Sequence, residues 1–319
     1  MANCNPERTT QGVNTKLGFA ASDTVSAPTD PTEQLEYDDQ DYTLEIENQD
    51  TSGIRGTEAM PTERYVEMSR NARGGFNCRP TGGDLERWLP RILGGALGSP
   101  TTGLKTVLMA ETRPCFDVFA YINSNLHKYR QQRVVSANFT ASERQPLRMS
   151  VQSVGTDRDA LVNPYTWPAL VIPTAGKPFI FPQLQITVGG TAYDIYNFSL
   201  SFQYAIDTQY MNSVTPTAFP SAARTIRLAV RFPWKVGPAI FDLYRNAAVV
   251  AALVTLDYGA TSTRRTLIFD TPYTVAEGLR EPGVPGKASI PWDLNLAVGY
   301  DTTAGPSTQV SAKIRAAGE

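Results

Sequence analysis

Apolar residues in this chain recur mostly at every second position, the spacing of strands with one covered face. Tyr42, Leu44 and Ile46 alternate with Thr43, Glu45 and Glu47. A polar, glycine-containing stretch follows over 50–64, and a second extended run covers 65–80. Two strands joined by so long a connection predict a hairpin whose tip projects from the sheet. The period then changes once. Leu85, Trp88, Leu89, Ile92 and Leu93 fall at helical spacing behind Asp84, the expected N-cap, with Gly94-Gly95 at the end. These five side chains are expected to face a core, and Pro90 to kink the helix. Further strands are expected over 112–122, 129–142 and 147–154, the last two with polar alternation; the pattern breaks at 157–163 and gives way to a Pro-rich linker over 164–182. Residues 1–40, rich in Asn, Thr, Ser, Pro and Asp, pattern as an arm without a core of its own.

The second half echoes the first. Tyr196-Asn-Phe-Ser-Leu-Ser-Phe-Gln203 lies 154 residues after Tyr42-Thr-Leu-Glu-Ile-Glu-Asn-Gln49, and Arg227–Phe232 follows Arg73–Cys78 at the same offset. Pro216-Thr217 answers Pro61-Thr62 inside a second long connection over 205–222. A helix is expected from Pro238, with Ile240, Phe241, Leu243 and Tyr244 on its apolar side. Leu267–Tyr273 then parallels Val135–Ala141, and Pro291–Gly299 parallels Pro146–Val154, at shorter offsets. Several pairs in one order predict a duplicated domain. The expected fold is mainly β: two tandem sandwich or half-barrel domains, each with one packed helix and one long projecting hairpin loop. The expected divisions are an arm at 1–40, a first domain at 41–160, a linker at 161–182 and a second domain at 183–319.

The composition narrows the chemistry. Of 319 residues, 41% are apolar and 19% charged, and the 29 Lys and Arg nearly balance 31 Asp and Glu. That balance argues against a chain built to grip nucleic acid or an anionic membrane. No apolar stretch is long enough to span a bilayer, and the first ten residues do not pattern as a signal peptide. Cys4, Cys78 and Cys115 lack metal or redox spacing, and the single histidine, His127, sits in a stretch that reads as a turn. Gly283-Val-Pro-Gly286-Lys287-Ala288 is too short for a phosphate loop and lacks its hydroxyl. The acidic run from Glu33 to Asp50 holds eight acids and no base but lacks the glycine of a calcium loop, so it reads as a solvated or contact face. No catalytic residue, metal ligand or cofactor is expected, and the chain reads as a non-enzyme.

Four stretches resemble the tail tube proteins of long-tailed, non-contractile bacteriophages. They are Gly53-Ile-Arg-Gly56 with Pro61-Thr62-Glu63-Arg64; the helix Gly82–Gly94; Ala110–Val118 leading to Val135–Ser142; and Gln183–Leu200. The resemblance covers roughly residues 40 to 300 and rests on element order and duplication. It implies a virion protein assembled in the host cytoplasm, which polymerises into stacked rings around a channel. That channel houses the tape-measure protein and conducts double-stranded DNA during ejection. Tail terminator and tip proteins are the implied partners at the tube ends, with no membrane involved. Two domains per chain imply homotrimeric rings of pseudo-sixfold symmetry, with homohexamers as the alternative. The projecting loops are the expected ring-to-ring contacts, with Ile54, Arg55, Glu58, Pro61 and Thr62 in one and Met211, Asn212 and Pro216 in the other. The acidic segment is expected to meet the Arg-rich stretch 64–91 of a neighbour. Thr43, Glu45, Glu47, Ser199 and Ser201 are the expected lumen-facing residues. A competing reading is a carbohydrate-binding sandwich from an adhesion fibre, with tryptophans as sugar platforms. Against it, Trp88 lies on the helix stripe, and Trp167, Trp234 and Trp292 adjoin prolines, as packing residues do.

Overall fold

The computed structural model describes residues 15–22, 28–50, 65–170, 177–233, 246, 248–259, 264–277 and 291–315. The chain is mainly antiparallel β with one helix among these residues. The first half carries β1 (Thr15–Ala21), β2 (Glu33–Leu35), β3 (Asp39–Gln40), β4 (Thr43–Asp50), β5 (Tyr65–Cys78), α1 (Gly82–Leu93), β6 (Lys105–Leu108), β7 (Phe116–Ile122), β8 (Asn125–Ser142) and β9 (Arg148–Gly155). The second carries β10 (Leu184–Val188), β11 (Thr191–Tyr193), β12 (Asn197–Ile206), β13 (Ser221–Pro233), β14 (Val250–Tyr258), β15 (Arg265–Ala276), β16 (Pro291–Val298) and β17 (Ser311–Arg315).

Pairing follows one path twice. In the first half the hydrogen-bonded order is β2–β1–β7–β8–β9–β5–β4. In the second it is β11–β10–β14–β15–β16–β13–β12, strand for strand the same. The registers differ. Thr43 faces Arg73, whereas at the sequence offset Asn197 would face Arg227; Asn197 faces Arg231 instead, and Arg227 faces Ser201. The slip is an even number of residues, so the buried face stays buried.

Residues 15–22 and 28–40 differ from the arm expected of them. β1 pairs along its whole length with β7, β2 pairs with β1, and Leu17 and Phe19 are buried. Alternation does not mark β1 because both of its faces are covered. Phe19 points into the main core, and a Cβ on Gly18 would stand 2.7 Å from Pro31 and 2.8 Å from Trp167. The Pro-rich stretch is packed too. Trp167 donates its Nε1–H to Gln34 at 2.9 Å and Tyr165 its hydroxyl to Asp30 at 2.6 Å, so this segment straps the outside of the β1–β7 pair. Phe179, further along, is buried in the main core.

Helix α1 begins one turn earlier than its sequence signal. Thr81 is the N-cap, accepting from the Asp84 amide while the Asp84 carboxylate accepts the Thr81 N–H at 2.9 Å; Asp84 is thus the third helical residue of a capping box. Pro90 falls late enough that the helix runs past it, and Gly94, at φ 90°, closes the end by donating its N–H to the Pro90 carbonyl at 2.8 Å. Leu85, Trp88, Leu89, Ile92 and Leu93 are all buried as expected. Trp88 sits in an aromatic box, 4.7 Å from Phe19 and from Phe76 and 5.4 Å from Phe116 between ring centroids. His127 lies in β8 opposite Ala120, outside the two-residue turn of Asn123 and Ser124, both at positive φ. The second expected helix, from Pro238, lies outside the described residues, as does Trp234.

The halves share a core. β8 pairs with β12 from Ser136 to Ser142, and β17 bridges β15 to β6. α1 packs among β6, β8, β15 and β17, beneath the line where the halves meet.

Candidate functional site

β4, β5, β9, β8, β12, β13 and β16 form one unbroken run of paired strands across both halves. Residues directly opposite one another share a face, so the registers show what that face carries. One row reads Asp39, Asn77, Ser150, Asn138, Ser201, Arg227 and Ala297. The next reads Arg148, Thr140, Ser199, Ala229 and Asn295, and a third Ser142, Asn197, Arg231 and Asp293. The opposite face, with Phe139, Phe198, Leu200, Phe202 and Leu228, is core. The outward face is therefore small, polar and continuous.

Three of the arginines on or beside it are matched locally. Arg73 lies 3.5 Å from Glu45, Arg231 3.6 Å from Asp293 and Arg227 3.0 Å from Glu277. Ser69 donates to Glu47 at 3.0 Å, and Ser199 donates to Asn138 at 2.9 Å across the joint between halves. The structure thus puts Thr43, Glu45, Glu47, Ser199 and Ser201 on exposed or half-exposed positions of this one sheet.

The acidic segment is answered within the chain. Glu33 accepts from Arg91 at 2.8 Å, Asp38 lies 3.3 Å from Arg79, and Asp41 accepts the Gly75 N–H at 2.5 Å. These groups were expected to meet a neighbour's Arg-rich stretch; the same chain's Arg91 on α1, Arg79 just after β5 and the Gly75 amide of β5 take them instead.

The two connections expected to project fare differently. Ile54, Arg55, Glu58, Pro61 and Thr62 lie outside the described residues. In the other loop Met211 is 62% exposed and Asn212 is exposed, but Pro216 is buried and is not presented at the surface. This loop folds back on the first half. Val214 accepts the Arg70 N–H at 2.7 Å, and Asn71 donates to the Tyr210 hydroxyl at 3.0 Å. It thereby covers the part of β5 that runs beyond its partner β9. Ile46, Val66, Met68, Met211 and Val214 remain exposed around it.

The seam between halves is stapled by residues that sequence reading did not single out. Tyr204 donates its buried hydroxyl to the Ile92 carbonyl at 2.6 Å. Arg113 stacks over the Tyr204 ring at 3.7 Å and donates to Ser221 at 3.2 Å. Arg133 donates to the Phe219 carbonyl at 3.0 Å, and Arg224 to the Ala110 carbonyl at 3.1 Å. Burial, together with the neighbouring Arg133 and Arg224, lowers the Arg113 pKa, while burial pushes the Tyr204 phenol up. Only the fold brings these arginines together, because they lie on segments distant in sequence.

Trp88 and Trp292 are buried, which removes them as sugar platforms, and half-buried Trp167 packs on Tyr121. The described residues thus form a mainly β fold in which one strand path occurs twice and the sheet presents a polar face. The family model for the phage tail tube protein matches residues 12–308, and the chain belongs to that family. No curated protein matches the chain. Membership makes it a self-assembling component of the virion tail and places it in a structural family rather than an enzyme family.

Proposed function

We propose that this chain is two copies of one tube unit, and that it builds the tube by repeating between chains the joint that links its own halves. The carrying observation is the pair β12 and β4. Their positions in the two paths are equivalent, yet β12 is flanked by β13 and β8, while β4 is flanked, among the described residues, by β5 alone. An open strand edge is a template for another chain. On this reading the free edge of β4 pairs with an open strand edge of the next chain's second half; β15 itself carries β14 on one side and β17 on the other. Repetition of such a head-to-tail contact closes a ring, and rings stack into a tube. With two units in each chain, a ring of six units is trimeric.

The polar sheet face is then the lumen wall, with Thr43, Glu45, Glu47, Ser199 and Ser201 on it. Short hydroxyl and amide side chains and locally matched charges let double-stranded DNA and the tape-measure protein slide, because net phosphate neutralisation is what holds DNA nonspecifically. The exposed apolar residues Ile46, Met68, Met211 and Val214 are the contacts between stacked rings.

A proline scan from Thr43 to Gln49, read by electron microscopy and circular dichroism, tests the reading. Proline where the N–H points away from β5 should abolish tubes and leave the subunit folded; tubes surviving at every position would overturn it. Ring counting in projection images separates trimeric from hexameric rings.

A further inference from the structure

The strand registers leave a gap at one end of the polar face. β9 pairs with β8 no further than Arg148 opposite Thr140, while β8 runs on beside β12 to Ser142 opposite Asn197. Just ahead of β9 the chain turns aside, and Leu147 donates its N–H to the Phe179 carbonyl at 2.8 Å. A cavity of about 250 Å3 opens there, lined by Arg148, by Thr140, Ser142 and Ser199, and by Gln145 and Asn197. No carboxylate among the described residues lines it.

Arg148 is exposed and stands in one cross-strand row with Thr140 and Ser199. Arg73, Arg227 and Arg231 on the same sheet each lie beside a carboxylate. Arg148 makes no side-chain hydrogen bond or ion pair among the described residues, and the hydroxyls of Thr140 and Ser142 are likewise uncommitted. On its other side Arg148 borders a cavity of about 430 Å3 that holds Asp38 and Asp39. Those acids are already engaged: Arg79 lies 3.3 Å from Asp38, and Asn77 donates to Asp39 at 2.5 Å. A reachable guanidinium among hydroxyl and amide donors, with no acid in the same cavity, is a donor set for an oxyanion.

The position of the cavity selects the anion. If the polar face lines the tube, the anion that passes it is the DNA backbone, and each phosphate offers two free oxygens that match the guanidinium fork. We propose that the Arg148 cavity binds a phosphodiester, a single backbone phosphate of double-stranded DNA held against the lumen wall; the DNA source rests on that reading of the face. The guanidinium takes the two non-bridging oxygens through adjacent N–H groups, and the Thr140 or Ser142 hydroxyl donates to one of them. An exposed contact of this kind is weak and screened by salt, so the duplex passes from one Arg148 to the next without arrest. The paired arginines add little to this hold, because their charge is already answered within the chain.

Dimethyl phosphate, titrated into the unassembled full chain carrying isotope-labelled arginine, tests the site by itself, with chloride at matched ionic strength as control. The Arg148 Nε–H resonance, identified by its loss in Arg148→Gln, should shift saturably and by about three times as much as those of Arg73, Arg227 and Arg231. A short DNA duplex bound to assembled tubes over a salt series then tests the source. Arg148→Gln tubes should bind it about threefold more weakly at low salt, and the slope of log affinity against log salt should flatten by about 0.9 for each phosphate contact removed. Arg148→Lys, which keeps the charge, should restore the slope. An Arg148 resonance that moves no more than those of the paired arginines overturns the proposal. A shift specific to Arg148 on the free chain, with the duplex bound equally by wild-type and Arg148→Gln tubes, supports the phosphodiester site and overturns the placing of this face in the lumen.

Discussion

Truncating Phe19 to alanine asks whether the first strand belongs to the fold or hangs from it. Its ring is 1% exposed and lies edge-on to Trp88 at 4.7 Å, with Phe76 at 5.6 Å and Phe116 at 6.1 Å. An aromatic side chain of this kind covers roughly 200 Å2, which at about 25 cal/mol per Å2 gives about 5 kcal/mol as an upper bound. Measured Phe→Ala losses in dry cores run about 3–5 kcal/mol, so a loss of about 4 is expected. Urea unfolding followed by tryptophan fluorescence reads it directly, since Trp88 touches the ring. Phe232→Ala, equally buried on Tyr193 in the second half, is the matched control. If Phe19→Ala costs less than about 1 kcal/mol, the range of ordinary surface changes, then β1 is an appendage and the twofold strand path is accidental.

Deleting residues 52–60 is expected to leave a folded subunit that forms no tubes, seen by negative-stain microscopy; unaltered tubes would remove that hairpin from the ring contacts. Arg264 grips Asp257 through two hydrogen bonds, at 3.1 and 2.6 Å, and with help from Thr266 holds its carboxyl below the usual range. A depressed folded pKa contributes stability that is complete above the ordinary aspartate value of about 3.9 and is lost as pH falls through the folded one. The stability gap between wild type and Asp257→Asn should therefore narrow in acid; a gap constant with pH would refute the pairing.

The elements with an unambiguous period were legible: α1, because five apolar residues recur on one side, and β4, β5, β8, β9, β12 and β13, because one face is wet. Burial on both sides hid one strand. Leu17 to Ala20 are buried without a break, so that run does not alternate and β1 passed for part of an arm, whereas β7, covered in the same way from Phe116 to Ala120, was expected as a strand over 112–122. Composition misled in the same way at 164–168, where Trp167 and Tyr165 anchor a segment whose prolines read as a linker. Of the site, the alternating Thr43, Glu45, Glu47 and Ser199, Ser201 marked the polar face. Pro216 failed because a turn signal does not say which way the residue points. The seam arginines left no trace, since each acquires meaning only from strands distant in sequence.

The pairing of β8 with β12 within one chain has a kinetic consequence. A contact between tethered partners forms at an effective concentration set by the connecting chain, whatever the amount of protein present. Every second joint of the proposed ring is therefore made before any two molecules meet, and closure needs half the intermolecular joints that single-unit chains would require. Each joint that remains is also chemically distinct from the tethered one. Its strength can drift by mutation without loosening the other, so one position can govern how fast tubes grow while its twin keeps the subunit whole.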